Sequence, residues 1–287
     1  MNKWTGEEES PLFTIVIPTY DSDQTLSSCL ESIRNQTLKS CRTVIVDDVR
    51  TADRTRDIVK DMECDLIISP AGMAESRNVG FCEARSPFLL SIDSDMVLSS
   101  NLLEALAREF DAGWDALTIT EISVGQGYWT RARALDKAAV EKTHLGSAIR
   151  AFRREVFVGV AGYDSDLLAG EDLDFHIRAS ASGARVSHLS TAWIEHNDQS
   201  LSLIAAGRKK YAYGLSMASF EAKHGSALVS GFWRRFTVGV TEGFRRDPLA
   251  VPGYVVLRWT EAIAGQAGRL RHAWKTSPLG FPPRHAG

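Results

Sequence analysis

The stretch LLSIDSDMVL, residues 89–98, is an apolar run that ends in two aspartates two positions apart, Asp93 and Asp95. The apolar part is typical of a buried strand. Side chains two residues apart on an extended backbone point to the same side, so the two carboxylates are expected to face one point. They repel each other unless a cation or a proton lies between them, and Mg²⁺ and Mn²⁺ favour such oxygens. Short acidic residues also cap turns, so this stretch alone leaves both interpretations open.

Other strands of the same kind precede this one, separated by apolar residues at helical spacing. The predicted strands are 13–20, 42–48, 65–69 and 87–95. Because strands and helices alternate up to residue 110, we expect an α/β fold with a mostly parallel central sheet flanked by helices. Ligands bind beyond the carboxyl ends of such strands. Three of these ends are polar and together predict one site: Thr19-Tyr20-Asp21, Asp47-Asp48 and Asp93-Ser94-Asp95.

The pattern weakens after residue 110. The segment GQGYWTRARALDKAAVEKTHLG, residues 125–146, suits either a mobile loop over a site or a surface helix with its loops. Further on, a helix is predicted to start at the acid pair Glu171-Asp172, with Leu173, Ile177 and Ala181 on one face. Acidic residues at a helix start also stabilise the helix itself, so the pair has a structural as well as a functional interpretation.

Charge is distributed unevenly along the chain. Residues 201–287 hold 13 Lys+Arg against 4 Asp+Glu, and residues 1–200 hold the remaining 20 and 32, for a total of -3. The basic segment is expected to meet something anionic, either a phosphate, a nucleic acid or a membrane surface. It carries no nucleic-acid-binding module, so we expect no nucleic-acid partner. No run of 18 apolar residues is present, which argues against a membrane-spanning helix.

Two further features bear on compartment and ligand. The acidic start MNKWTGEEESP does not resemble a signal peptide, and the four cysteines show no CxxC spacing, so we expect a reducing cytoplasm. The sequence has no GxGxxG after the first strand and no GxxxxGK[ST]. A nucleotide bound here must therefore be held by strand-end side chains, a metal ion and basic groups.

Six short motifs occur in order, VIPTYD, IVDD, ESRNVG, IDSDM, GEDLDF and AWIEH, with RKKYAYG after them. This ordered set resembles glycosyltransferase family 2, whose members are inverting enzymes with the Rossmann-like GT-A fold. The resemblance covers residues 13 to about 215. It implies a catalytic domain over 11–215, with a donor half 11–110 and an acceptor half 111–215, followed by a basic, mainly helical C-terminal extension over 216–287.

The resemblance also implies roles for individual residues. Asp93 and Asp95 look like the DxD motif, which holds Mg²⁺ or Mn²⁺ against the diphosphate of a nucleotide-sugar. His196 resembles a family histidine that closes the donor site, either as a further metal ligand or near the diphosphate. Asp172 looks like the general base that deprotonates the acceptor hydroxyl, with Glu171 supporting it. The implied donor-binding residues are Pro18, Thr19, Tyr20, Asp21, Asp48, Arg77, Asp93, Ser94, Arg208 and Lys210.

Two departures from the family pattern matter. The usual VDDGSTD is here VDDVRTADRT, which changes the turn after Asp48 and leaves the nucleotide open. The Q-x-x-R-W motif of processive synthases is absent, and VVLRW at 255–259 is expected to serve helix packing, so we expect a single transfer rather than polymerisation.

The expected partners follow from the resemblance. The donor is a nucleotide-sugar, with a UDP-sugar favoured over a GDP- or dTDP-sugar, and the acceptor is either a small molecule or a lipid-linked one. The C-terminal extension either contacts the inner face of the membrane, pairs with a second subunit or packs on the catalytic domain. The alternatives are a non-catalytic nucleotide-sugar-binding or scaffolding protein, which would have lost the metal pair or the base, and a nucleotidyltransferase, which would have a glycine-rich basic loop where PTYDSD stands.

Overall fold

The structure, a computed structural model, describes residues 10–70, 72–167, 169–198, 201–225 and 231–276. The first nine residues, which make up most of the acidic start MNKWTGEEESP, lie outside the described residues. The strands are β1 (Phe13–Thr19), β2 (Cys41–Asp48), β3 (Asp65–Ser69), β4 (Phe88–Ser91), β5 (Met96–Leu98), β6 (Ala116–Val124), β7 (Ile149–Arg153) and β8 (Val186–Asn197). The α-helices are α1 (Leu26–Arg34), α2 (Thr55–Asp61), α3 (Met73–Cys82), α4 (Leu102–Asp111), α5 (Tyr128–Thr143), α6 (Arg154–Gly159), α7 (Glu171–Ala181), α8 (Leu203–His224), α9 (Phe232–Arg246) and α10 (Val251–Thr276), with a 3-10 turn at Pro248–Ala250.

The strands form one eight-stranded sheet in the order β3-β2-β1-β4-β7-β6-β8-β5. The α/β fold and the first three strands are as predicted, and β1 runs parallel to β2 and β4 while β2 runs parallel to β3. The fourth strand ends at Ser91, short of the predicted residue 95, so Asp93 and Asp95 lie in the loop between β4 and β5 and not on an extended strand. The remaining pairs described, β4–β7, β6–β7 and β5–β8, are antiparallel, so the sheet is mixed rather than mostly parallel. The prediction depends on an alternation of strands and helices that ends near residue 110, whereas each antiparallel pair includes a strand that follows that point, β7 or β8.

The central strands are buried because helices cover both faces of the sheet. All seven residues of β1 are buried; Ile15 and Ile17 join a core with helices α1 and α4, and Val16 joins the core on the other face with α3. A Cβ at Gly80 of α3 would lie 2.5 Å from a methyl group of Val16, so this helix sits directly on the sheet. Coverage on both faces explains why these strands read as continuous apolar runs.

The chain divides into two compact units. The first comprises residues 1–122, 146–165 and 171–197 and holds the sheet. The second comprises residues 123–145, 166–170 and 198–287 and is mainly helical in its described part. Residue 216, where the sequence predicts the C-terminal extension to begin, lies within α8, and the division into catalytic domain and extension stays a prediction.

The second unit is built from α5, α8, α9 and α10. Residues 125–146 contain helix α5, as one of the two interpretations predicts, and its Leu135 packs with Tyr254 and Leu257 of α10 in an apolar core. Beside this core, Asp136 accepts hydrogen bonds from Arg133 and Arg235. Burial alone would raise the pKa of Asp136, but Arg235, Arg258 and Arg133 lower it below its ordinary range. No helix in the described ranges has the length and apolar character that a membrane span requires.

Candidate active site

The carboxyl ends of β1 and β2 are joined by a buried hydrogen bond. Thr19 lies opposite Asp47 in the parallel register, and its Oγ1 donates to Asp47 Oδ1 at 2.8 Å. Asp47 is fully buried and also accepts hydrogen bonds from Thr51 Oγ1 and Arg56 Nε, both at 2.8 Å. These contacts use both oxygens of Asp47, so this carboxylate fixes the two strand ends and the turn that follows.

The next residue, Asp48, is paired with a residue of the turn that departs from the family pattern. Arg50 donates from Nε to Asp48 Oδ1 at 2.9 Å and from Nη2 to Oδ2 at 2.7 Å, and its guanidinium lies 5.4 Å from the Tyr20 ring centre. The hydrogen bond from Arg50 lowers the pKa of Asp48 despite partial desolvation. A base contact by Asp48, as the resemblance implies, therefore requires Arg50 to share or leave this carboxylate.

The DxD loop follows β4, and its first carboxylate lies between two buried arginines. Arg77 of α3 donates from Nη2 to Asp93 Oδ1 at 3.0 Å, and Arg150 of β7 approaches Asp93 Oδ2 with Nη1 at 3.3 Å. Burial alone would raise the pKa of Asp93, but Arg150 and Arg77 hold it well below its usual range. Asp93 is therefore an ionised carboxylate near neutral pH.

The pairing of β5 with β8 places His196 beside the second carboxylate of the motif. Met96 lies opposite His196 in this antiparallel ladder, and the backbone N–H of Asn197 donates to the carbonyl of Asp95 at 2.9 Å. His196 Nε2 lies 3.7 Å from Asp95 Oδ1. One ligand atom from each of Asp93, Asp95 and His196 lies within 4.8 Å of the others.

This donor set fits a small divalent cation. Two carboxylates and an imidazole suit Mn²⁺, and carboxylates also suit Mg²⁺. Because both oxygens of Asp93 already accept from arginines, Asp95 and His196 are the better placed ligands. The geometry therefore favours Asp95 over Asp93 as a metal ligand, and the roles of all three residues stay predictions.

The acid pair begins helix α7, and Arg77 connects it to the DxD motif. Arg77 Nη1 donates to Glu171 Oε1 at 2.6 Å while the same guanidinium binds Asp93. Burial raises the pKa of Glu171, Arg77 opposes the rise and the neighbouring Asp172 adds to it. Asp172 is half-buried, and its Oδ1 accepts from the backbone N–H of Leu173 at 2.7 Å. Glu171 thus binds the arginine, whereas Asp172 contacts the start of its own helix, and its role as general base stays a prediction.

The apolar face predicted for α7 is not the face that the helix buries. Its buried residues are Asp174, Phe175 and Ala179, whereas Leu173 and Ile177 are only half-buried. Phe175 packs on Phe152 and Tyr163. Asp174 on the buried side binds Arg178 of the same helix, and the spacing of apolar residues alone could not reveal this ion pair.

The other predicted donor residues lie in different surroundings. Pro18 is buried in β1, Ser94 Oγ donates to Ser22 Oγ at 2.9 Å, and Asp21 Oδ1 accepts from the N–H of Ala52 at 2.9 Å. Arg208 and Lys210 belong to α8 in the second unit. Burial lowers the pKa of Lys210, and Glu261 partly restores it.

Sequence reasoning missed Arg150 and Glu121. Arg150 Nε donates to Glu121 Oε1 at 2.9 Å, which makes Arg150 a bridge between β6 and the DxD motif. One signal was available, since Arg150 is a charged residue inside the otherwise apolar stretch IRAF of a buried strand. Such a charge requires partners within the fold.

The match to known families agrees with this site. The model for glycosyl transferase family 2 matches residues 14–161, slightly more than half of the 287-residue chain, so the chain belongs to that family. The match contains β1 from Thr14 onward, β2 to β4, the DxD motif and Arg150, and it ends before α7 and His196.

Several named proteins are similar to the chain. A pre-mycofactocin glycosyltransferase of Mycobacterium tuberculosis is 26% identical over 230 residues, 74% of this chain and 48% of that protein. The poly(ribitol-phosphate) beta-N-acetylglucosaminyltransferase TarS of Staphylococcus aureus is 24% identical over 268 residues, 81% of this chain and 45% of that protein. The chain thus spans about half the length of these relatives.

Solved structures support the fold. TarS residues 1–349 in complex with UDP-GlcNAc superimpose with a TM-score of 0.56 at 19% identity, covering 92% of this chain and 91% of that one. A mannosyltransferase from Pyrobaculum calidifontis, in complex with GDP-Man and Mn²⁺, gives a TM-score of 0.63 at 15% identity and covers 94% and 89%. The GT-A type of α/β fold predicted from the sequence is confirmed.

Proposed function

We propose that this protein is a metal-dependent, inverting glycosyltransferase that moves one sugar from a nucleotide-sugar to an acceptor hydroxyl. The observation that carries the proposal is the bridge formed by Arg77, which binds Glu171 beside Asp172 with one nitrogen and Asp93 of the DxD motif with another. Membership of glycosyltransferase family 2 supports the reaction class. A single rigid guanidinium thus holds the start of the helix that carries the base next to the proposed metal site.

The donor is proposed to bind at the carboxyl ends of β1, β2 and β4. Thr19, Tyr20, Asp21 and Asp48 would contact the nucleoside. Asp95 and His196, with Asp93, would hold Mg²⁺ or Mn²⁺. When bound, the ion would offset negative charge on the diphosphate. TarS binds UDP-GlcNAc and the Pyrobaculum mannosyltransferase binds GDP-Man, which supports a nucleotide-sugar donor, and we favour a UDP-sugar.

The transfer step is proposed to use Asp172 as the general base. The acceptor hydroxyl gives its proton to Asp172 as its oxygen forms a bond to the anomeric carbon, and the bond from that carbon to the diphosphate oxygen breaks. Attack from the face opposite the leaving group inverts the configuration at that carbon. Arg77 and Arg150 remain charged and keep Asp93 ionised, so Asp93 does not compete for the proton.

A single transfer is proposed because the Q-x-x-R-W motif is absent. Arg258 of VVLRW is buried and donates to Glu261 at 2.7 Å, a contact within the second unit that agrees with a packing role. We propose a small-molecule or lipid-linked acceptor hydroxyl, and a cytoplasmic setting as expected from the cysteines.

The test is a panel of UDP-, GDP- and dTDP-sugars in which binding is read as thermal stabilisation of the protein, with and without Mn²⁺. We expect one nucleotide class to stabilise the protein and Mn²⁺ to strengthen the effect. Asp95→Asn should remove the Mn²⁺-dependent part. The control is Asp61→Asn, which removes a carboxylate from the exposed end of α2 and should change nothing.

Transfer itself is then measured with the stabilising donor as release of nucleoside diphosphate in the presence of candidate acceptors. Donor binding without any release would favour the non-catalytic alternative. Binding whose Mn²⁺ dependence is unchanged in Asp95→Asn would contradict the proposed metal site.

A further inference from the structure

Helix α10 exposes a row of large apolar side chains along its length. At about 100° per residue these five side chains fall within an arc of roughly 60° on one side of the helix. Their exposed fractions run from 44% to 75%: Val256, Trp259, Ile263, Leu270 and Trp274. A continuous exposed apolar row of this kind marks an interaction surface rather than scattered surface residues.

Helix α9 extends the row sideways. Trp233 of α9 is 59% exposed, and its ring centre lies 6.0 Å from that of Trp259. Phe244, 64% exposed, follows Trp233 by eleven residues, about three helical turns, and so lies on the same side of α9. We call these seven side chains on the two helices the α9–α10 apolar surface.

The opposite side of α10 is the one that builds the core of the second unit. Tyr254 and Leu257 are fully buried there. A Cβ at Gly268 would collide with the backbone carbonyl of Tyr211, so α10 lies directly against α8 on that side. The contacts on the buried side fix which side of α10 faces outward.

The charges around this surface have one sign. None of the three acidic residues between 232 and 276 is exposed, because each is turned toward an arginine: Glu242 toward Arg245 and Arg246, Asp247 toward Arg131, and Glu261 toward Arg133 and Arg258. By contrast, the exposed charges of α9 and α10 are cationic: Arg234, Arg245, Arg246 and Arg271.

We infer that the α9–α10 apolar surface lies on an anionic phospholipid bilayer, with α10 parallel to the membrane plane. Apolar side chains would enter the acyl boundary and the arginines would meet lipid phosphates, as in interfacial amphipathic helices. Three of the seven side chains are Trp, whose amphipathic ring suits the headgroup level. A second copy of the chain fits less well, since pairing two such surfaces would bring like charges together. Membrane binding does not depend on the proposed transfer reaction.

The test is flotation of the full chain with vesicles of phosphatidylcholine alone and with added phosphatidylglycerol, at low and at high salt. We expect binding to the anionic vesicles that weakens with salt. Ile263→Ser with Trp274→Ser should reduce the bound fraction at limiting lipid by roughly tenfold or more, because two large apolar groups are lost. Arg234→Gln with Arg245→Gln should weaken binding to anionic vesicles only.

Matched controls lie in the first unit. Val158→Ser removes an apolar side chain that is 61% exposed on α6, and Arg108→Gln removes a cation that is 75% exposed on α4. Neither should change binding, and circular dichroism checks that every variant is folded.

The inference is overturned by absence of vesicle binding at low salt, or by equal binding of wild type and Ile263→Ser/Trp274→Ser. A lipid-free dimer that dissociates in that double variant would overturn it in favour of a second copy. Donor-induced stabilisation, measured on the same samples, reports separately on the proposed function.

Discussion

Arg150 Nη1 lies 3.3 Å from Asp93 Oδ2 while its Nε donates to Glu121, so one buried arginine joins β6 to the DxD motif. Its side chain is only 9% exposed. Removing a single member of a buried ion pair leaves the other charge without compensation.

We therefore expect Arg150→Met to lower the free energy of unfolding by about 3 kcal/mol at neutral pH. The pKa of Asp93 is depressed in the folded protein. Its contacts with the arginines therefore stabilise the fold above the unfolded pKa of about 4, and this stabilisation is lost progressively as the pH falls below that value. The difference between wild type and variant should therefore shrink below about pH 4. Urea unfolding at several pH values measures this, and a difference that stays constant would show that Arg150 acts through packing alone. Arg154→Met, an arginine outside this network, is the control.

Asp172 and Glu171 are adjacent but have different partners. Asp172→Asn should reduce transfer by about 10² to 10⁴ while donor binding stays near wild type, because it removes the proton acceptor and leaves the Arg77 bridge in place. Glu171→Gln should reduce transfer less. Single-turnover transfer and donor-induced stabilisation measure the two effects separately. If Asp172→Asn lost binding and rate equally, the pair would be structural.

The pairing of β5 with β8 places His196 beside Asp95. We therefore expect loss of its imidazole to change the affinity for the metal ion and little else. We expect His196→Ala to raise the Mn²⁺ concentration needed for half-maximal donor-induced stabilisation by roughly tenfold, because one ligand is lost while the carboxylates remain. His272→Ala, a histidine of α10, serves as the control. An unchanged Mn²⁺ titration would reassign His196 to packing or to acceptor contact.

Much of the first half of the molecule could be predicted from the sequence. Strands β1, β2 and β4 are continuous apolar runs because both faces of the sheet are covered there. Asp93 and Asp95 lie close together as the sequence predicts, but in the loop between β4 and β5 and not on an extended strand. His196 was found only through the family resemblance, since a lone histidine carries no signal of its own.

What could not be predicted depends on tertiary contacts. Arg150 meets Asp93 because β7 pairs with β4 in the antiparallel sense, and no local pattern encodes that pairing. Arg50 binds Asp48 through a turn that the family pattern does not contain. Likewise, the buried ion pair of Asp174 with Arg178 hid the true inner face of α7.

Helices α8 and α10 cross at close range, and this crossing sets the orientation of the exposed row on α10. A Cβ at Gly214 would collide with the backbone carbonyl of Gly265, and backbone cannot move aside as a flexible side chain can. We expect Gly214→Ala to lower the free energy of unfolding by about 2 kcal/mol, since the steric strain outweighs the better helix propensity of alanine.

Gly207→Ala on the same helix is the matched control. Its Cβ would meet only a methyl group of Thr260 at 3.4 Å, so this change should be neutral or stabilise the protein by up to about 1 kcal/mol. Urea unfolding of both variants measures the difference, and equal stability would mean that the two helices separate easily at this crossing. Vesicle flotation of Gly214→Ala then shows whether membrane binding requires the orientation that this crossing imposes.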